Sequence, residues 1–564
     1  MNSILILLMA VLGIVVGYGF YARTIDRNII QPDPNKATPA TMFMDGVDFT
    51  PASRNVLFGY QFKSIAALGP IVGPIVAVRW GWLPALLWII FGTFFIGWVQ
   101  DYSNIVMGVR EEGRTFGALS YKLISPRART ILLIFIYLYL LLIMAAFGKI
   151  VGFDLMTNPA VPLGVLFVMG VGLLAGQMTY RWKMDIMITS VVTVVLAFVG
   201  IWLGTLPAVQ SFFTAISGGA ESPLLFGSVT WSKMLWSLVV VVICYFGAVL
   251  PIWRFAQPTN YVAFWIVFLG ILGGTVGLII WHPNVDAAAF PALTTWDGVL
   301  GSLPAFGPLW PLLFVTIACG AISGWHSLVC TSGTARQIEN ETDALPVGGG
   351  AMFLEMFLAA LSLLTATVGV GAARYVELVG AGANAGVFAN GLANFLSRIG
   401  VPTSFGLPYG SVFLTLMALT IMYLAVRFMR VASAEFVGDA IPAMKNVHVG
   451  AIVALIFTLI LVWTGFWANI WILFGASNQL MAALALLLVT LWLMSKGKSY
   501  MWTFIPFIFM FLTTMAALIQ TGYSVIKVAI TQAAELPIDK VIGNWIAGIL
   551  AIILFLAALY LAVD

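Results

Sequence analysis

Apolar residues in this chain run in long blocks, and polar residues gather in the gaps between them. A helix rising about 1.5 Å per residue needs roughly 20 apolar residues to cross the hydrocarbon core of a bilayer. Blocks of that kind fall at roughly 4–22, 62–79, 83–108, 130–152, 161–178, 186–206, 234–254, 260–281, 309–331, 350–371, 409–428, 448–466, 469–494, 502–523 and 545–563, which predicts about fifteen spans. The stretch from Gly380 to Val401 carries Asn384, Asn390, Asn394 and Arg398 among small residues. It is too polar to span and is expected as an interfacial or re-entrant helix. No basic residue precedes the first block and no small-residue cleavage pattern follows it, so it is expected as a retained helix rather than a removable signal. The expected fold is an all-α polytopic membrane protein.

Composition agrees, with 61% hydrophobic and 9% charged residues, against about a quarter charged in soluble chains. The net charge of +4 is small and unevenly placed, so it reads as a topology signal and not as a nucleic-acid footprint. Of the 26 Lys and Arg, nineteen fall in loops that follow odd-numbered spans, Lys63 being counted among them. Six fall in even loops and one, Lys149, within a helix. Because cytoplasmic loops retain positive charge, the N-terminus is expected outside and the C-terminus inside the cytoplasmic membrane. Cys244, Cys319 and Cys330 sit singly in apolar blocks, which suggests neither a disulfide framework nor a metal site.

Two blocks carry helix-breaking residues. The second contains Gly69-Pro70 and Gly73-Pro74, two Gly-Pro pairs in one span. Each proline removes an amide donor and crowds the preceding turn, and a break in lipid is tolerated only where protein or a cavity covers the freed groups. The pattern points either to an unwound segment with exposed carbonyls or to a packing kink. The seventh block contains Phe246, Gly247 and Pro251, again a glycine and a proline inside an apolar run. Two broken helices five spans apart and opposite in direction are what an inverted five-plus-five repeat produces.

The ninth block holds a stripe of small and polar residues through Ser323, Gly324, Trp325, His326 and Ser327. Ser323 and Ser327 share a helix face. They can complete a cation site with hydroxyl oxygens, or they can bond back to their own carbonyls and allow close packing. Ionisable groups within the blocks are few and costly. Asp101 can carry a coupling proton or pair with Arg110 or Arg114 at the interface. Glu355 suits a helix N-terminus, and Lys149 can snorkel towards Asp154. His326 titrates near neutrality without help. There is no Walker motif, no HExxH and no helical histidine pair suited to haem. A membrane-embedded redox or enzyme subunit would need such groups, and a channel remains a further alternative.

The chain resembles the carbon starvation protein A family of membrane proteins, grouped with the amino acid, polyamine and organocation superfamily of transporters. The resemblance is carried by Arg54-Asn55-Val56-Leu57-Phe58-Gly59-Tyr60-Gln61-Phe62, by Ile65 through Pro74, by Gln100-Asp101 and by Gly113-Arg114-Thr115. It continues through Ser323 to Ser327, Ser332-Gly333-Thr334 and Asn340 through Ala344. Tyr60 and Gln61 stand where the family usually has histidines, and the chain is shorter than many members. The resemblance implies a five-plus-five, LeuT-like core at about 54–430, an extra N-terminal helix at about 1–30 and accessory helices at about 431–564. It also implies an ion-coupled secondary transporter, proton or sodium driven and without a cofactor, for short peptides or small carboxylates such as pyruvate. Gly69, Pro70, Gly73, Pro74, Phe246, Gly247, Pro251 and Trp325 are then expected at the substrate. Ala66, Ser323, Ser327, His326 and Asp101 are expected at the coupling ion.

Overall fold

The computed structural model describes residues 1–303 and 307–563. Thirteen of its helices are long and apolar enough to cross a membrane, from Ser3–Ile30 to Lys540–Val563. A bent pair, Arg54–Ile65 and Gly69–Trp80, turned through 45°, supplies the second span. The ninth expected block folds as two shorter helices, Leu309–Thr316 and Gly324–Ser332, with 317–323 unwound between them. Each of the fifteen blocks read from the sequence thus has its counterpart. The chain is an all-α polytopic membrane protein with broken helices, relieved among the described residues by one short hairpin, Leu224–Phe226 with Val229–Thr230.

Burial separates centre from rim. The most apolar stretch of the eleventh span, Thr403–Val437, is wholly buried, whereas in the first and last spans only 28% of it is. Those outer helices show Leu5, Leu8, Leu12, Ile549 and Leu556 to their surroundings, as helices bathed in lipid do. Without a hydrophobic drive between helices in lipid, packing rests on close approach at small residues. A Cβ on Gly277 would lie 1.9 Å from the carbonyl oxygen of Phe395, so the eighth span touches the backbone of the helix Asn384–Ser397. That helix is the non-spanning element expected near 380–401, and it packs inside the molecule against the eighth and eleventh spans.

The break expected in the seventh span is absent. Trp231–Val249 is one uninterrupted helix that ends at Leu250, and Pro251 follows its end. Proline is common just past a helix C-terminus because it cannot continue the ladder, so the Gly-Pro pattern here marks a stop. Gly247 is needed for packing, since a Cβ there would meet Tyr423 at 2.5 Å. The second broken helix is the ninth span, seven spans after the first and therefore opposite to it in direction. The expected spacing of five spans between the broken helices is therefore not met.

Loop contacts obey the parity read from the charges. Arg110 and Glu341 join loops three and nine at 2.5 Å, Arg54 and Asp343 join loops one and nine at 2.5 Å, and Lys496 and Glu111 join loops thirteen and three at 3.3 Å. Arg427, ten residues before the end of the eleventh span, bonds Asp48 in loop one. On the opposite face Trp80 Nε1 donates to the carbonyl of Gly307 at 3.0 Å and Tyr375 donates to that of Ile75 at 2.8 Å, joining even loops.

Candidate functional site

The two broken spans cross at their breaks. A Cβ on Gly69 would meet Cys319 Sγ at 2.5 Å, and one on Gly73 would meet the Thr316 carbonyl oxygen at 2.8 Å. These glycines are therefore required by the crossing. Trp325, buried in the ninth span, donates through Nε1 to the Ser64 carbonyl at 2.6 Å and binds the two helices below it.

Unwinding frees carbonyls that must find donors, and the ninth span's break is supplied by buried amides and a hydroxyl. Gln479 Nε2 donates to Phe314 at 2.6 Å and Ile317 at 3.3 Å, and Asn478 Nδ2 donates to Ala318 at 2.7 Å. Thr93 donates to Gly320 at 3.2 Å and Gln100 Nε2 to Ser323 at 2.6 Å. Asn478 Oδ1 in turn accepts from Tyr139 at 2.5 Å, Ser323 at 3.1 Å and the Trp325 amide at 3.2 Å. Asn478 and Gln479 belong to the thirteenth span, in the region expected as accessory. Ser327 donates to its own helix, to Gly324 at 2.6 Å, as the packing alternative had it.

Beneath the crossing lie four fully buried ionisable side chains from four spans. His326 Nδ1 is 3.0 Å from Asp101 Oδ2, and its Nε2 is 3.4 Å from Glu355 Oε2. That nitrogen and both Glu355 oxygens have no hydrogen-bond partner among the described residues. Lys63 Nζ donates to Thr420 Oγ1 at 2.7 Å and faces the Ala66 carbonyl at 3.5 Å. Cys319 Sγ, His326 and Glu355 offer ligand atoms within 4.8 Å of one another, the set among the described residues that could hold a metal ion.

Several expectations change here. Asp101 pairs with His326, while Arg110 binds Glu341 and Arg114 binds Glu112. Glu355 is five residues into Gly350–Leu364, but a short 3₁₀ turn at Glu341–Asp343 and a wider π-helical run at Leu345–Gly349 begin that rod, which carries the carboxylate deep into the protein. Lys63 belongs to the buried cluster and not to a loop. Phe246 is 46% exposed on the outer surface, away from the crossing, and Pro251 stands beyond its helix. Lys149 reaches Asp154 at 2.6 Å, as expected of a snorkelling lysine.

Above the crossing a cavity of about 440 Å³ is lined by Leu68, Gly69 and Gly73 of the second span, Thr316 and Ala318 of the ninth, and Phe147 and Trp471. Its lining holds no charged side chain, and its residues come from span ends nearest the even loops. Pro70, Pro74 and Trp325 are buried in the crossing without lining it.

A bundle of this length, with two antiparallel broken helices crossing between an apolar cavity and a sheltered set of acids and bases, defines a polytopic membrane protein built around a central site. The chain belongs to the carbon starvation protein CstA family, whose model matches residues 2–384 and 373–517. It is 32% identical over 383 residues to the peptide transporter CstA of Escherichia coli, covering 65% of this chain and 50% of that protein. It is 27% identical to the pyruvate/proton symporter BtsT of the same organism, over 89% of this chain and 79% of the relative. The peptide transporter CstA of Bacillus subtilis is also 27% identical, over 93% and 91%. The chain thus spans about half the length of the first of these relatives. Among solved structures, MhsT in complex with L-phenylalanine aligns with a TM-score of 0.45 at 12% identity, over 90% of this chain and 99% of that one.

Proposed function

We propose that the protein is a proton-coupled secondary transporter that moves small carboxylates such as pyruvate, or short peptides, by alternating access across the cytoplasmic membrane. The observation that carries this reading is the sheltered chain Asp101–His326–Glu355 directly below a cavity that both broken helices line. Protonating one member changes the charge balance at the crossing, where backbone from both helices meets the cavity floor. The two Escherichia coli relatives, one named a peptide transporter and one a pyruvate/proton symporter, support the same class.

The uncharged lining favours the small carboxylate. A peptide presents both an ammonium and a carboxylate, and burying either unpaired is costly. A single carboxylate can be met by the Gly69 amide at the start of the half-helix Gly69–Ala77, where Pro70 has no amide hydrogen and Ile71 and Val72 donate to the Leu68 carbonyl. In this reading the odd loops, which hold most of the positive charge, face the cytoplasm and the N-terminus faces outside. The protein carries its substrate unaltered and acts with no cofactor.

Uptake into proteoliposomes tests this. Labelled pyruvate, or a labelled di- or tripeptide, should accumulate when the exterior is made acidic, with pyruvate accumulating further. Absence of accumulation of both under every gradient applied would remove the transporter reading.

A further inference from the structure

We propose that Cys319, His326 and Glu355 form a zinc site that arrests the protein when filled, clamping the ninth span's break to the tenth span. Binding of the ion stands on these residues alone, whereas its effect on uptake rests on the transporter reading above.

Asp101 sets the tautomer of His326. Its two oxygens lie 3.1 and 3.0 Å from Nδ1, and an ionised carboxylate only accepts, so Nδ1 carries the hydrogen. In the neutral ring Nε2 is then a bare lone pair. It stands 3.4 Å from Glu355 Oε2, acceptor against acceptor, and neither atom has a hydrogen-bond partner among the described residues. A metal ion between them resolves that opposition. Zinc bonds of about 2.0–2.1 Å to nitrogen and oxygen at a tetrahedral angle put two such ligands about 3.4 Å apart, which is the separation found here. A carboxylate on the far nitrogen, as Asp101 provides, is the usual support of a histidine that ligates zinc.

Cys319 supplies the third ligand. Its Sγ lies within 4.8 Å of the other two ligand atoms, and a zinc–sulfur bond of about 2.3 Å would set those separations at about 3.6 Å. The closure needed is therefore at most about 1.2 Å, and Cys319 belongs to the unwound 317–323. Sulfur and imidazole nitrogen select zinc over magnesium and calcium, which take oxygen ligands. Thiolate and carboxylate together balance the two charges of the ion, as a buried site requires. The thiol proton leaves as the zinc–sulfur bond forms, and a water from the ion's own shell keeps the fourth position.

The ion has a route in. Gly69 and Ala318 line the cavity, and a Cβ on Gly69 would meet Cys319 Sγ at 2.5 Å, so the sulfur stands one layer behind the cavity wall. Once bound, zinc joins the unwound 317–323, the half-helix Gly324–Ser332 and the tenth-span helix Gly350–Leu364 through one residue of each. Movement of the broken helix against the tenth span has to break those bonds. Zinc is in this way an inhibitor and not a cofactor of transport.

Equilibrium dialysis of the purified full-length chain against zinc, with magnesium in excess, tests the site. The wild type should retain one zinc ion per chain, and its zinc X-ray absorption should show one sulfur at about 2.3 Å beside nitrogen and oxygen at about 2.0–2.1 Å. Asp101→Asn should weaken binding about tenfold or more, Cys319→Ser at least as much, and Cys244→Ala, which removes a thiol of the seventh span, should bind as the wild type does. Absence of retained zinc, a zinc shell without sulfur, or unchanged affinity in Cys319→Ser would overturn the site. Should Cys319→Ser not fold, the sulfur in the wild-type shell decides. In proteoliposomes, saturating zinc should cut acid-driven pyruvate accumulation at least tenfold, with recovery on adding EDTA. Zinc that binds and leaves accumulation unchanged would overturn the arrest. A chain that binds zinc through Cys319 yet accumulates neither pyruvate nor a labelled tripeptide upholds the site and fails the transporter reading.

Discussion

Asp101 of the third span and His326 of the ninth face each other at 3.0 Å, carboxylate to imidazole, with neither side chain reached by solvent. Each is the principal partner of the other, so their worth is mutual. Removing one partner of a buried pair costs about 3–5 kcal/mol, whereas removing both costs far less. Asp101→Asn or His326→Leu alone should lower the melting temperature in detergent clearly. The double variant should melt higher than the two losses added together predict. Additive losses would mean that the pair is not coupled.

Gly73 is where the second span meets ninth-span backbone at the Thr316 carbonyl. A methyl there cannot be accommodated by a side-chain rotation, and overpacking of this kind costs about 1–3 kcal/mol. Gly73→Ala should therefore lower both the melting temperature and uptake. Gly170→Ala, with nothing within 4 Å of its added Cβ, should leave both as they are.

Asp48 lies in the first loop among Arg427, Arg430 and Arg336. Burial raises its carboxyl, but the three guanidiniums outweigh burial and hold it below the usual carboxylate range. A group with a depressed folded value contributes stability above its unfolded value, about 3.9, and loses it as pH falls through the folded one. The melting-temperature advantage of wild type over Asp48→Asn should hold steady from about pH 7 to pH 5 and shrink below about pH 4. An advantage that grows on acidification would contradict this.

Phe246 projects from the surface of the seventh span, 46% exposed. Phe246→Ala should change stability by no more than about 0.5 kcal/mol and leave the Michaelis constant for uptake within twofold. A large rise in that constant would return Phe246 to the substrate site.

Much of the fold was legible because lipid imposes a length rule, and each apolar block became a span. The double Gly-Pro signal in the second span was legible for a related reason, since only a covered break excuses two prolines there. The seventh span misled because Gly247 and Pro251 lie at a helix end, where the same residues mean packing and termination. The ninth break was harder to see, since it contains no proline and its carbonyls are satisfied by Asn478 and Gln479, more than 150 residues away along the chain. Lys63 looked like a loop charge because it stands at the polar edge of its block; the helix Arg54–Ile65 begins nine residues before it and carries it inward. Asp101 and His326 were visible as isolated intramembrane charges, but their partnership is a property of how the third and ninth spans pack.

In the proposed transport cycle, the ion pairs that tie loops one, three, nine and thirteen to one another and to the eleventh span make the two sides of the molecule unequal. On the even side the cavity is already walled by span ends that meet through apolar contact and hydrogen bonds. In the proposed transport cycle, opening the other way separates Arg110 from Glu341, Arg54 from Asp343 and Arg427 from Asp48 and lets each charge take up water. Dissolved salt screens the half-exposed Arg54–Asp343 pair more than the buried pairs of Arg110 and Arg427, and it screens all of these charges once they are parted and hydrated, so in the proposed cycle ionic strength acts mainly on the half-turn that opens the odd-loop side.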